Sequence, residues 1–488
     1  MAELQATESR RGKPGRDLTG GPIFQTLTLF AAPTLASNVL QSLNGSINSI
    51  WVGQLLGDAA LAATANANIV MFLVFATVFG FGMAATVKVG QHFGARDIDA
   101  ARRTFGTALG FCGVLSMIVA VLGWLLAPQM LTALSTPGGA FPLALSYLRV
   151  IFISMPAGMI SIMLAMGLRG SGDARSPLLF MILTVALDVV LNPLLIAGIG
   201  PFPQLGIVGS ATATLIANFI GLAANLAYIY VRDLPLRLRG RELCYLIPAR
   251  SELAYIVGKG LPMGAQMLII SGAGIIMVGI VNREGLIATA AYGASLQLWN
   301  YLQMPAMAIG AAVSAMAAQA IGASLHDRLH KITRAGIMLN VVMTGILTVL
   351  LLLFDRPALV LFLGADSPAV PLARHIQFLV SWTFILFGVT IVLFGTMRAA
   401  GAVYAPLITL AISMYPVRLG FYGATRAHLG MDAIWWAFAA GSLVSMGLAI
   451  AFYRQRGWLR HAHARPTEEA AELCETDGEP AGRISPAM

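Results

Sequence analysis

Leu168-Arg-Gly-Ser-Gly-Asp-Ala-Arg-Ser-Pro-Leu178 returns 229 residues later as Met397-Arg-Ala-Ala-Gly-Ala-Val-Tyr-Ala-Pro-Leu407. Each copy leaves one long apolar run and enters the next. Two further pairs keep the register: Ala-Ala-Pro33 with Gly-Leu-Pro262 at the same offset, and Gly90-Gln-His-Phe-Gly-Ala95 with Ala318-Gln-Ala-Ile-Gly-Ala323 at 228. Three collinear matches at one offset mark an internal duplication rather than chance.

The apolar runs around these segments fall at about 25–53, 60–88, 105–127, 143–168, 177–199 and 205–231, then 253–281, 287–322, 335–354, 372–397, 405–427 and 432–453. Each is long enough for a bilayer. The expected fold is an all-α membrane protein with twelve transmembrane helices in two six-helix, pseudo-symmetric lobes. The expected organisation is an N-terminal tail over 1–24, an N-lobe over 25–231, a linker over 232–252, a C-lobe over 253–454 and a disordered tail over 455–488. Composition agrees. The chain is 57% hydrophobic and 11% charged, against roughly 25% charge in a soluble protein. A soluble multi-domain enzyme is excluded. The first apolar run is too long for a signal-peptide core and reads as a retained span.

The net charge of +9 does not point to nucleic acid, because the basic residues scatter between apolar runs instead of forming one soluble face. They sort by side. The termini and the loops after even-numbered spans hold 25 Lys and Arg, the opposite side 6. This bias puts both termini in the cytoplasm of a multi-pass inner-membrane protein, as an even span count requires. Two six-span repeats then share one orientation, and parallel repeats suggest alternating access around a central cavity. Three cysteines are too few and too dispersed for a disulfide framework or a zinc site.

An ionisable group inside a bilayer is costly and therefore a candidate for function. Of 22 acidic residues, only Asp188 lies deep in a span; Arg418 joins it only if the boundary of span 11 is displaced. Burial disfavours a carboxylate's charged form, so such a group can load and release a proton as access alternates. The plainer reading of Asp188 is a buried hydrogen-bonding group, a task an Asn performs at lower cost. In span 1, Ser37, Asn38, Gln41, Asn44 and Asn48 recur on one helical face, and span 6 places Thr214, Asn218 and Asn225 similarly. Such amides solvate an ion or cargo, or else hold helices together. Span 8 offers Gln297, Asn300, Tyr292 and Met304, a Met and aromatic set suited to amphiphilic cations or to ordinary packing. Pro33, Pro156, Pro262, Pro305 and Pro416 should interrupt spans. Pro33, on the amide-bearing helix, is the candidate gate. Arg169, Asp173 and Arg175 should cap span 5 and tie its loop.

Several of these segments together resemble the MATE (multidrug and toxic compound extrusion) family along most of the chain: Pro33 with Gln41, Gly90-Gln-His-Phe-Gly94, Tyr147-Leu-Arg-Val150, the stretch from Leu168 to Pro177, and Leu191-Asn-Pro-Leu-Leu-Ile196. The resemblance implies export of drug-like, often cationic amphiphiles or dyes in exchange for H⁺ or Na⁺, with no cofactor. Relatives often carry Asn at the position of Asp188 and Asp at that of Asn192, an exchange that keeps both on one face. Acids that relatives carry in spans 1 and 7 align with Asn48 and Ser271. One carboxylate suffices for a proton, whereas Na⁺ usually wants more charge. Asp188, Asn192, Asn48 and Thr214 are therefore the expected ion-coupling set for H⁺, with Na⁺ as the alternative. Gln41, Asn38, Gln297, Asn300, Tyr292 and Met304 are the expected cargo contacts, in a monomer whose other partners are membrane lipids.

A lipid-precursor flippase of the same superfamily would need basic residues inside the cavity. A membrane-embedded enzyme would need convergent catalytic groups. A primary pump would need a phosphate-binding loop. The sequence shows none of the three.

Overall fold

A computed structural model describes residues 17–133, 136, 138–364, 366–455 and 457–458. Most of both expected tails lies outside these residues; of the C-terminal one, 455 and 457–458 are described, with Trp458 buried. Helices α1 (Ile23–Leu56), α2 (Asp58–Gly94), α3 (Ile98–Ala133), α4 (Phe141–Gly170), α5 (Arg175–Ala197) and α6 (Ile207–Val231) form the first half. The second contains α7 (Arg250–Asn282), α8 (Leu286–Gly322), α9 (His326–Leu353), the short α10 (Asp355–Leu363), α11 (Ala369–Val380), α12 (Thr383–Ala399), α13 (Tyr404–Ile412), α14 (Arg418–Leu429) and α15 (Asp432–Arg454). Among the described residues no strand occurs. Among the described residues eleven helical stretches are long and apolar enough to cross a membrane, and α11 with α12, bent by 44° at their junction, makes a twelfth if the pair is one span.

Two proline expectations resolve differently. The helices run unbroken through Pro33, Pro156, Pro262 and Pro305, since a membrane offers an open backbone no other partner. At Pro416 the chain instead widens into a π turn, Ser413–Val417, joining α13 to α14. The missing proline N–H removes a helical donor there.

The ends of the helices that face the termini form one basic face, and here the two halves close on each other. Gly94 and Gly322 bring α2 and α8 so near that a Cβ on either would strike a backbone carbonyl, of Gln319 and Gln91 respectively. Gln91 Nε2 donates to the Ala399 carbonyl at 2.7 Å, and Gln319 Nε2 to the Gly170 carbonyl at 3.2 Å. Gln319 Oε1 also accepts the backbone N–H of Leu18 (3.0 Å), so the segment before α1 is tucked under the junction with Leu18 buried. Deeper in, Gly80 of α2 abuts the backbone of Gly260 and Gly264 of α7. That point is about 21 Å along α2 from its end at 1.5 Å per residue. Away from this face α1, α2 and α7 present exposed Ile50, Ile69, Phe72 and Ile275.

The connector between halves is strapped to α3. A 3-10 turn, Gly240–Leu246, lies against Gly106 and Gly110, which leave room for the backbone of Tyr245 and Leu246. Arg102 pairs with Glu242 at 2.6 Å, and the Tyr245 hydroxyl donates to Asp99 at 3.0 Å. Burial, reinforced by Asp99, pushes that phenol up to about 12, so it remains a donor at ordinary pH.

Candidate functional site

The helix carrying Asp188 is fixed at both ends. Asp173 Oδ1 accepts the backbone N–H groups of Arg175 and Ser176, each at 3.0 Å, and Oδ2 accepts the Ser176 hydroxyl at 2.5 Å. Free first-turn amides are thereby satisfied. Gly198, left-handed at φ 69, ends the helix with its N–H on the Leu194 carbonyl. Of the three loop residues expected to cap this helix, Asp173 does so; Arg169 forms no ion pair among the described residues.

Helix α6 packs closely on α5 through glycines. A Cβ at Gly209 would collide with the Leu195 carbonyl, and one at Gly221 with Thr184 Oγ1. Between these contacts Thr214 Oγ1 reaches Asp188 Oδ1 at 2.9 Å. Asn192, one turn on from Asp188, places Nδ2 3.2 Å from the same oxygen, and Asn44 of α1 places Nδ2 3.0 Å from Oδ2. The carboxylate thus accepts three hydrogen bonds from three helices while 2% exposed. Among the described residues no cation lies within ion-pair distance of it.

Asn48 stands one turn beyond Asn44 and does not bond the carboxylate. Its Oδ1 accepts the Ser210 hydroxyl at 2.8 Å, and its side chain meets the buried Tyr147 of α4, which also interacts with Asp188. Asn44, Ser210 and Tyr147 are the site residues that sequence reasoning passed over. Asn44 was visible in the amide stripe and Tyr147 in the Tyr147-Leu-Arg-Val150 segment, though neither was assigned to the site; nothing local singled out Ser210. Two amide oxygens, Asn44 Oδ1 and Asn192 Oδ1, are buried without a partner among the described residues. The hydroxyl of Thr214 has a second acceptor, the Ser210 carbonyl at 3.3 Å.

The expected cargo residues separate. Asn38 is half-buried, and Gln41, Gln297 and Asn300 are exposed, with Asn300 Oδ1 accepting from Gln303 at 3.0 Å. Met304 is half-buried. Tyr292 does not share their surface: it is buried inside the second half in an aromatic cluster with Trp299, Trp435 and Phe438. Pro33 is half-buried within an unbroken α1.

Up to twelve membrane-crossing stretches among the described residues, in two related halves with a buried carboxylate held by amides and a hydroxyl, form the architecture of a membrane transporter. The comparisons agree. The MatE family matches residues 33–194 and 262–422. A Bacillus subtilis protein named "Probable multidrug resistance protein YoeA" is 32% identical over 434 residues, 88% of this chain and 94% of its own. The "FAD transporter" of Shewanella oneidensis is 25% identical over 443 residues, covering 90% and 96%. A solved structure described as an "outward-facing conformation of a multidrug resistance MATE family transporter" superposes with a TM-score of 0.84 at 21% identity, over 92% of this chain and 98% of its own. The chain belongs to the MATE family of multi-pass membrane transporters.

Proposed function

We propose that this protein is a secondary antiporter exporting amphiphilic, cationic compounds in exchange for H⁺ by alternating access, with Asp188 as the proton carrier. The observation that carries this reading is the arrangement of Thr214 between two acceptors. With Asp188 ionised, the hydroxyl donates to Oδ1. When Asp188 takes up a proton on Oδ1, the carboxyl becomes the donor, Thr214 Oγ1 accepts, and the threonine proton turns to the Ser210 carbonyl. Asn44 and Asn192 donate in both states, so loading one proton strands no further polar group. A carboxylate with no cation beside it carries the full charge change, which suits it to bias an equilibrium between two transporter states.

The positive-inside bias puts the closed basic face, and both termini, on the cytoplasmic side of the inner membrane. On that orientation, closure of the halves at the basic face supports an outward-facing state. Asn38 and Gln41 on α1 and Gln297, Asn300 and Met304 on α8 supply the cargo-facing surface, and Pro33 the point at which α1 bends. A Na⁺ reading has one specific support: the two unpaired amide oxygens beside a carboxylate resemble the oxygen donors hard cations prefer.

Transport of a cationic dye in proteoliposomes, under a pH gradient or a Na⁺ gradient imposed separately, decides between them. The expected result is exchange driven by the pH gradient alone. Movement driven only by Na⁺ overturns proton coupling. Asp188→Asn should abolish gradient-driven exchange while leaving folded protein in the membrane; full transport by that variant removes Asp188 from the mechanism.

A further inference from the structure

Arg418 sits in the interior of the second half. It follows directly on the π turn at Ser413–Val417, near the middle of the membrane-crossing stretch Tyr404–Leu429, and is 7% exposed. Its guanidinium carbon lies 4.3 Å from the ring centre of Phe438, with Tyr292 beside it. Gly441 of α15 makes the space, since a Cβ there would come 3.3 Å from Nε.

This cation has no partner of opposite charge. Among the described residues no carboxylate lies within 4 Å of it, and its Nε makes no hydrogen bond. Three acids of the second half are engaged at helix ends: Glu284 with Arg426 at 2.8 Å, Asp355 with Arg374 at 2.8 Å, and Asp432 with His375 at 3.0 Å. The same aromatic cluster also has spare donors. Trp435 Nε1 and Gln377 Nε2 are buried without acceptors, while Gln377 Oε1 already takes Trp299 Nε1 (3.0 Å) and the Ser381 hydroxyl (2.5 Å). A buried charge is tolerated when paired and costly when not. An aromatic face offsets only part of that cost. Among the described residues no negative charge lies beside Arg418, and the unpartnered nitrogens of the aromatic cluster, Trp435 Nε1 and Gln377 Nε2, are donors.

We infer that Arg418 is the anchor of an anion subsite in the second half, taking a single negative charge, either a carboxylate on the cargo or a chloride ion. The planar guanidinium fork matches a carboxylate in two parallel hydrogen bonds. Phe438 and Tyr292 lie beside the guanidinium, and their flat apolar rings suit aromatic carboxylates best among organic anions. Cargo that also bears a positive group is then zwitterionic. The inference rests on the transport reading only for the source of the carboxylate.

The test is equilibrium binding to the purified full-length protein, with no gradient, so its result is independent of Asp188. In chloride-free methanesulfonate buffer, radiolabelled 2-naphthoate should bind saturably. Arg418→Gln should weaken it at least tenfold and Arg418→Lys less, whereas a naphthyl trimethylammonium ion should bind all three proteins alike. Chloride is titrated in parallel, with the melting temperature as readout. Stabilisation of the wild type and the Lys variant, but not the Gln variant, without naphthoate binding assigns the same site to chloride. If neither anion binds or stabilises, or if Arg418→Gln responds as the wild type does, the subsite is refuted. The Lys variant keeps the comparison open should the Gln variant not fold.

Discussion

Gln91 and Gln319 occupy equivalent positions in the two halves, and each donates its side-chain amide across the junction to the carbonyl that ends a helix of the other half: Ala399 at 2.7 Å and Gly170 at 3.2 Å. The pair forms a two-fold latch at the basic face. Of the two, Gln319 is the more engaged, because its oxygen also receives the Leu18 amide.

Breaking the latch should favour the state opened at that face. One hydrogen bond contributes about 1 kcal/mol net, so Gln91→Ala should shift the equilibrium about fivefold. Gln319→Ala should shift it further, since it also strands the buried Leu18 amide. The measurement is the maleimide-labelling rate of a cysteine placed at Ala318, which is buried at this junction, in a background lacking the native cysteines. Unchanged rates in both variants would show that the latch carries no gating energy.

Gly94→Ala and Gly322→Ala test the same closure by bulk instead of by bonding. Each methyl would overlap a carbonyl across the junction, so the halves cannot close there. Normal amounts of protein in the membrane, lost transport and constitutive labelling at position 318 are expected. Wild-type transport by either variant would mean that this contact does not form in the cycle.

Thr214 separates a proton relay from a packing role. Thr214→Val keeps the shape but removes the hydroxyl, and with it a bond to a charged group of about 1.5–3 kcal/mol. Proton-driven exchange should fall roughly ten- to a hundredfold. Thr214→Ser, which restores the hydroxyl, should recover most of it. Equal losses in both variants would assign Thr214 to packing alone.

The connector offers a prediction about stability. Gly110→Ala would drive a methyl into the Leu246 carbonyl and lift the 3-10 turn from α3, straining the Arg102–Glu242 pair. The expected signs are earlier cleavage by protease within residues 232–250 and a melting temperature several degrees lower. Cleavage at the wild-type rate would show that the strap tolerates the displacement.

Much of this was legible in the sequence, for reasons that also set the limit. Apolar run length gives the twelve crossings, and Asp188 stands out because charge is so costly at that depth. Thr214 and Asn192 fall where periodicity on α6 and α5 puts them. Periodicity cannot choose among Ser37, Asn38, Gln41, Asn44 and Asn48, which share a face; the axial offset between α1 and α5 selects Asn44, and only packing fixes that offset. Tyr292 and Gln297 stand about 140° apart at 100° per residue, so they could not share a surface. Arg418 was legible only on the condition of a displaced span boundary; it is buried within a stretch, Tyr404–Leu429, close to the expected 405–427, and the π turn before it, which sets its register, is marked by no composition rule.

The latch also bears on how such a chain arose. Donor and acceptor on each half are answered by acceptor and donor on the other, which is the self-complementary contact two identical subunits make about a two-fold axis. A six-helix ancestor dimerising in the membrane would already have possessed both bonds. Tandem fusion of such a gene would free each copy to diverge. The halves now differ: Gln319 alone of the pair also holds Leu18, and one half buries Asp188 where the other buries Arg418.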